Sequence, residues 1–204
     1  IFFLIKTETC TPYFFLSRDS SHNAVRLDNK TGQCTLPGKQ RNINQIYISS
    51  EFSGLLHVLL HEAAHVFDYY YHVTPYLSGY LITDTAKSST AFTKNIWKAE
   101  RTPAGKYNIL HNTKYSGWGL NRQIDKNISI PLYQKIAQTP FSSLYGALAW
   151  YEDFAETFTW YYLYKNFNIT YRTVVFKDGF TAAEYCPTEN PLVTKRYEQF
   201  SGLN

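Results

Sequence analysis

Residues 57–68 read HVLLHEAAHVFD, and this stretch decides which fold is expected of the chain. His61 and His65 are four positions apart, and Glu62 follows the first of them. Residues at this spacing on an α-helix lie on one face, one turn apart, so both imidazoles can reach one metal ion at about 2.0 to 2.1 Å. The spacing therefore predicts a helix with two zinc ligands, with Glu62 as the general base that takes a proton from water.

A third histidine, His57, lies four positions before His61. On a straight helix, His57 and His65 would be about 12 Å apart, so they cannot both bind one ion. We take His57 as the bystander, because Glu62 is positioned by the pair His61 and His65. The alternative interpretation of the motif is two core histidines on either side of a helix glutamate.

The helix is predicted over residues 51–72, with Ser49 or Ser50 as its N-cap and Glu51 in its first turn. Apolar residues cover most of its circumference, which predicts a helix buried on all sides. His61, Glu62 and His65 would then lie in an apolar setting, where unpaired burial costs about 1 to 3 kcal/mol per polar group. A bound metal would supply their partner.

A catalytic zinc site needs a third protein ligand and an open position. The zincin pattern with a later histidine preceded by glycine is excluded, because Tyr71 and Asp68 occupy those positions. Residues 151–158 read YEDFAETF and offer two acids four apart, Glu152 and Glu156, in a helix predicted over 142–166. Like charges at this spacing repel unless a cation lies near. These residues leave open which glutamate binds the metal and which orients a histidine, and a solvated helix face is the alternative for Glu156.

The other predicted elements indicate a single α+β domain over residues 1–204. A small, mostly antiparallel sheet is expected in residues 1–50, with strands at 1–5, 12–17, 24–27 and 45–49. Short helices are predicted at 90–101 and 131–138, a strand at 171–176 and a final helix at 192–200. The segment 74–140 is expected to form a lid or a specificity subsite, or else a structural excursion.

Composition narrows the class of protein. The hydrophobic content of 44% and charged content of 18% are typical of a packed globular chain. The net charge of +4 is dispersed and forms no basic run, so a nucleic-acid partner is not expected. No apolar stretch approaches the roughly 20 residues that a membrane span needs, so no transmembrane segment is expected. The 36 aromatic rings, 18 of them Tyr, favour a wet, ring-lined cleft.

Three cysteines leave two arrangements open: a bridge between Cys10 and Cys34 in an oxidising compartment, or three buried thiols that include Cys186. The chain begins at Ile1 and contains no Met, which indicates a processed or trimmed form. These features, with the resemblance described next, favour a secreted or periplasmic location.

Two blocks carry a resemblance to a known family. The first is His61-Glu62-x-x-His65-x-x-Asp68-x-Tyr70, and the second runs from Tyr145 through Glu152 to Phe158. Together they resemble the Glu-ligand zinc peptidases (gluzincins), in the branch that contains the catalytic domain of anthrax lethal factor and the Pro-Pro endopeptidases.

That resemblance implies a zincin-like fold with a buried active-site helix and a second ligand helix. One catalytic Zn²⁺ would be held by His61, His65 and Glu152, with Glu156 behind the ligand. Tyr145 would stabilise the oxyanion. It is seven residues before Glu152 and would share its helix face if the helix is continuous, while Tyr151 is the nearest competitor.

The sequence thus predicts a zinc-dependent endopeptidase, a secreted protease or toxin-like effector acting on a peptide or protein. Asp68 is expected to orient a ligand histidine. The strand at 44–49 is expected to be a sheet edge along which an extended substrate pairs. The alternative function is a non-catalytic, zincin-like module that binds protein or glycan.

Overall fold

A computed structural model describes residues 26–28, 33–35, 42–48, 54–75, 90–111, 113, 126–177 and 180–200. Its helices are α1 (Gly54–Tyr71), α2 (Lys126–Ile136), α3 (Trp150–Phe167) and α4 (Pro191–Tyr197). Its strands are β1 (Arg26–Asp28), β2 (Gln33–Thr35), β3 (Asn42–Ile48), β4 (Trp97–Ala99), β5 (Thr102–Pro103), β6 (Tyr171–Lys177) and β7 (Phe180–Tyr185). The prediction of a mixed α+β chain is confirmed.

Five strands form one sheet in the order β1-β2-β3-β6-β7, and every neighbouring pair is antiparallel. The expected antiparallel sheet is therefore present, but it is not confined to the first 50 residues, because β6 and β7 follow α3. The strands expected at 1–5 and 12–17 lie outside the described residues. Strands β4 and β5 form a separate two-stranded hairpin.

Strand β3 is an interior strand, and the prediction of a free edge at residues 44–49 is wrong. Its register with β6 runs from Asn42 opposite Lys177 to Ile48 opposite Tyr171, and β2 pairs with its other side. At Ile46 and Tyr47, where both β2 and β6 pair with β3, the strand has no open backbone donors or acceptors. An extended substrate cannot pair there.

Helix α1 contains the H-E-x-x-H motif and ends where the sequence indicates. Asp68 accepts hydrogen bonds from the backbone N and the Oγ1 of Thr74, both at 2.6 Å, and His72 adopts a left-handed conformation with φ of 53°. These contacts close the C-terminal end of the helix at Tyr71. The proposed N-cap and first turn lie outside the described residues.

The prediction that α1 is buried on all sides is wrong. Its buried face carries His57, His61, Ala64 and Asp68, at the spacing of three and four residues that marks one helix face. Other apolar residues of α1 are exposed: Leu59, Val66, Tyr69, Tyr70 and Tyr71. The difference arises because α3 covers one side of the helix only, and that side carries the histidines.

The second long helix begins at Trp150, eight residues later than predicted. Before it come a 3-10 turn at Gly146–Leu148 and an extended Ala149 with φ of −158° and ψ of 151°. The backbone N–H of Gly146 donates to the Oγ of Ser143 at 3.0 Å, a side-chain bond that competes with regular helix. At its other end the helix stops at Asn168, whose φ of 53° is tolerated by asparagine.

Of the two short helices predicted between α1 and α3, one is wrong and one is confirmed. The short helix predicted at 90–101 is wrong, because Thr90 and Thr93 exchange side-chain to backbone hydrogen bonds that build a turn, and β4 follows it. The helix predicted at 131–138 is confirmed as α2, which begins five residues earlier.

After α3 the predictions hold better. The strand at 171–176 is confirmed as β6, and the final helix as α4 with the 3-10 turn Glu198–Phe200. Strand β7 was not predicted.

Among the described residues, two apolar clusters form the core. The first is centred on Trp97, Tyr133, Ile136, Phe141, Leu144 and Trp150, and the second on Ala64, Phe92, Phe154, Val193 and Phe200. Segment 74–140 supplies members of both clusters, so its described part is built into the core.

The predictions about the cysteines and about membrane spans can be compared with the described residues only. Cys186 is buried and free, whereas Cys10 lies outside the described residues and nothing is described of the Cys34 side chain. The pairing of Cys10 with Cys34 thus falls outside the described residues. None of the helices in the described ranges is long and apolar enough to cross a membrane.

Candidate metal centre

Helices α1 and α3 pack against each other and bring three candidate ligands together. The Nε2 of His61 lies 3.2 Å from the Oε2 of Glu152 and 3.2 Å from the Nε2 of His65. The third distance, from His65 Nε2 to Glu152 Oε2, is 3.5 Å. His61, His65 and Glu152 form a group that can hold a metal ion.

The size of this triangle matches a small tetrahedral ion. Four ligands placed about 2.0 to 2.1 Å from a tetrahedral centre are about 3.3 Å from one another. The three separations in the structure lie within 0.2 Å of that value. Two imidazoles and one carboxylate are also a donor set that zinc accepts.

The group is buried on one side and open on the other. The side chains of His61 and Glu152 are 7% and 9% exposed, whereas that of His65 is 28% exposed. Solvent therefore reaches the triangle along His65. A site with three protein ligands and one accessible side is the arrangement that leaves a coordination position free.

Glu62 is exposed on α1 and forms no hydrogen bond or ion pair with any other described residue. It directly follows His61, so its backbone is fixed by the same turn of helix. A carboxylate without a protein partner remains available to a water molecule. Its place in the sequence and its exposure are consistent with the predicted general base.

Glu156 lies behind His61. Its Oε1 is 2.9 Å from the Nδ1 of His61, and its Oε2 accepts a hydrogen bond of 2.8 Å from the Oγ of Ser143. Since the other ring nitrogen of His61 faces Glu152, the two carboxylates hold the imidazole between them. A second carboxylate this close to the other ring nitrogen of a metal ligand can fix the orientation of the ring.

The cluster favours a positive charge at its centre. Burial opposes the charge of the His61 imidazole, but Glu152 and Glu156 outweigh it and raise the pKa of His61 to about 9. Burial likewise opposes the charge of Glu152, yet hydrogen bonds with His61, His65 and Tyr145 lower its pKa to about 2. Two buried carboxylates around one imidazole thus present an anionic site that a metal cation can neutralise.

Tyr145 contacts the ligand group from the segment before α3. Its hydroxyl donates to Glu152 Oε1 at 2.5 Å, and its ring centroid lies 6.0 Å from that of His61. The sequence predicted a shared helix face if the helix were continuous, but the helix is interrupted at Ala149 between the two residues. They lie close together without sharing a helix.

Two further polar residues of α1, Asp68 and His57, lie outside the ligand group. The hydrogen bonds of Asp68 go to Thr74 at the end of α1. Its role in orienting a ligand histidine stays a prediction. His57 packs its ring 4.9 Å from that of Trp160 and stays outside the ligand group, as expected of a bystander.

One important group was missed by sequence reasoning. Asp153, next to Glu152, is fully buried and receives two hydrogen bonds from Arg196 at 2.8 and 2.7 Å and one from the indole of Trp97 at 2.8 Å. In the sequence, Asp153 stands out only as a third acidic residue in the apolar helix. Its partners Arg196 and Trp97 lie 43 and 56 residues away.

Comparison of the chain with protein-family models, with curated proteins and with solved structures finds no match.

Proposed function

We propose that this chain is a zinc-dependent endopeptidase whose metal ligands are His61, His65 and Glu152. The observation that carries the proposal is the triangle of ligand atoms, 3.2 to 3.5 Å on a side, assembled from two helices. Glu62 directly follows the ligand His61 in the sequence. The resemblance of both sequence blocks to the Glu-ligand zincins supports the same assignment.

Zinc in this position would supply a Lewis acid, which polarises a peptide carbonyl and lowers the pKa of a water molecule to about 7. The residues of the chain would do the rest. Glu62 takes the proton from the attacking water and delivers it to the leaving amine, a role that needs an accessible carboxylate within hydrogen-bond reach. Glu156 keeps the Nε2 of His61 turned toward the ligand group.

Glu62 also favours a peptidase over a module that binds protein or glycan with a structural metal. Structural zinc sites are usually closed by four protein ligands. Among the described residues this group has three, and one of them, His65, is partly exposed. A structural site would gain nothing from an exposed acid beside a ligand.

The first test is metal content. Zinc analysis of the purified protein is expected to give one ion per chain, lost in His61→Ala, His65→Ala and Glu152→Ala. His111→Ala is the matched control, because His111 is exposed and outside the ligand group. If His111→Ala lost zinc as fully as the other three variants, the assignment of the three ligands would be wrong.

The second test is cleavage of a proteome-derived peptide library, read by mass spectrometry with and without a chelator. Glu62→Gln should retain zinc and lose cleavage by a factor of about 10² or more. Glu198→Gln makes the same chemical change at an exposed site in the C-terminal turn and should cleave normally. Full activity of zinc-loaded Glu62→Gln would sink the mechanism, and a zinc-bound protein that cleaves nothing would favour the binding module.

A further inference from the structure

The tip of the β4–β5 hairpin lies beside the first turn of α3. The backbone N–H of Trp150 donates to the carbonyl of Glu100 at 2.9 Å. Arg101, also at the tip, donates through Nη2 to the hydroxyl oxygen of Tyr151 at 3.0 Å. Tyr151 directly precedes Glu152, and its ring centroid is 6.0 Å from that of His65. The hairpin tip is therefore next to the exposed side of the candidate metal centre.

Arg101 and Tyr151 have hydrogen-bond donors that no described residue accepts. A guanidinium carries five N–H donors, and among the described residues Arg101 gives one from Nε to Glu100 and one from Nη2 to Tyr151. Both donors of Nη1 have no partner there. The Tyr151 oxygen accepts from Arg101, and no residue in the described ranges accepts the hydrogen of its hydroxyl. The Arg101 side chain is 71% exposed, so a ligand from solvent can reach it.

The chemistry that fits such a donor set is a carboxylate. The planar guanidinium fork matches the two oxygens of a carboxylate, which a lysine ammonium cannot do. A phenol hydrogen can add a third, charge-assisted bond to the same anion. Glu100 accepts from Nε and Tyr151 accepts one hydrogen of Nη2, which leaves the second Nη2 hydrogen and both Nη1 hydrogens for a carboxylate.

We infer that Arg101 and Tyr151 form a substrate subsite that binds a carboxylate close to the cleaved bond. The inference rests on the proposed peptidase function and assigns it a class of substrate. An extended peptide rises about 3.3 Å per residue. Since Tyr151 bridges the space between His65 and Arg101, the bound carboxylate lies within about four residues of the cleaved bond. It belongs to an Asp or Glu side chain or to a free C-terminus.

The test uses the zinc-loaded full chain and sets of peptides matched around one cleavage site. In one set each flanking position carries Glu or Gln, and in the other the C-terminus is a free acid or an amide. The wild-type protein is expected to prefer Glu to Gln at one position, or the acid to the amide, by about tenfold in kcat/KM. The first result identifies a side chain as the source of the carboxylate, and the second identifies the C-terminus.

Three variants then assign the preference. Arg101→Gln should bring the ratio close to one, Arg101→Lys should retain only part of it, and Tyr151→Phe should reduce it while the ring remains. A parallel measurement tests binding alone with zinc-loaded Glu62→Gln. This variant is expected to bind acidic peptides from the library, and the double variant Glu62→Gln with Arg101→Gln is expected to lose that binding.

The outcomes separate this inference from the proposed function. Cleavage with a ratio near one at every position, or a preference that survives Arg101→Gln, overturns the subsite and leaves the peptidase standing. If no peptide is cleaved, the peptidase fails. In that case selective retention of acidic peptides that depends on Arg101 still supports the subsite, and unselective retention overturns it.

Discussion

The hydroxyl of Tyr145 donates to the Oε1 of Glu152 at 2.5 Å, while the Oε2 of the same carboxylate faces His61 and His65. One oxygen of Glu152 therefore faces the histidines, and the other accepts the hydrogen bond from the phenol. A ligand held in this way presents one oxygen in a fixed orientation. Tyr145 is 2% exposed, so water does not compete freely for that bond.

The first prediction follows from this bond. Tyr145→Phe is expected to weaken zinc binding by about tenfold or more, as loss of a group that orients a ligand typically does. Competition with a chromophoric chelator measures the affinity. The sequence-based role for Tyr145, oxyanion stabilisation, predicts instead that affinity is kept and kcat falls by about 10² to 10³. Unchanged affinity with a slower kcat would move Tyr145 to that role, and Tyr164→Phe, an exposed tyrosine near the end of α3, is the control.

The second prediction concerns the carboxylate behind His61. Glu156→Gln keeps the volume of the side chain but removes the charge that lies 2.9 Å from His61 Nδ1. Zinc affinity should fall by about 10-fold to 100-fold. Glu198→Gln is again the matched control. An affinity equal to that of the control would show that Glu156 fixes nothing, provided that circular dichroism shows the same helix content in both variants.

The site residues were accessible to sequence reasoning because they follow helical spacing. His61, Glu62 and His65 lie within one and a half turns, and Glu152 and Glu156 lie one turn apart on α3. Local periodicity reports such sets directly. It also located α1, although the helix end at Tyr71 depends on the contact between Asp68 and Thr74.

The rest depends on contacts between residues far apart in sequence. The interior position of β3 follows from its pairing with β6, more than 120 residues later, and no local pattern reveals such a partner. At the start of α3, the N–H of Trp150 donates to the carbonyl of Glu100, which lies 50 residues earlier. Arg101 carried no signal of its own, because a single arginine in a loop is ordinary until the hairpin brings it to Tyr151.

The third prediction is that zinc stabilises the folded chain. A metal that binds only the native state adds about 2.7 kcal/mol at a free concentration one hundred times Kd. For a chain of this size, that corresponds to a rise in Tm of about 5 to 10 °C. Calorimetry of metal-free protein titrated with zinc measures it, and a chelator should reverse it. Glu152→Ala should show little of the rise, and an equal rise in that variant would place the bound zinc elsewhere.

The last prediction addresses the ion pair beneath the metal centre. Arg196 and Asp153 have side chains that are 4% and 0% exposed, and their two hydrogen bonds join α4 to the first turn of α3. Removing one member of a buried pair leaves an uncompensated charge, which costs about 3 to 5 kcal/mol. Arg196→Met should therefore lower the free energy of unfolding by that amount in a urea titration.

The matched control for Arg196→Met is Arg172→Met, since Arg172 pairs with Glu184 and Glu189 at the surface. Surface pairs contribute about 0 to 1 kcal/mol, so this variant should unfold close to wild type. The double variant Arg196→Met with Asp153→Leu removes both charges and should recover part of the lost stability. If Arg196→Met were no more destabilising than Arg172→Met, the buried pair would not secure α3, and the position of Glu152 would have to depend on its contacts with the histidines and Tyr145.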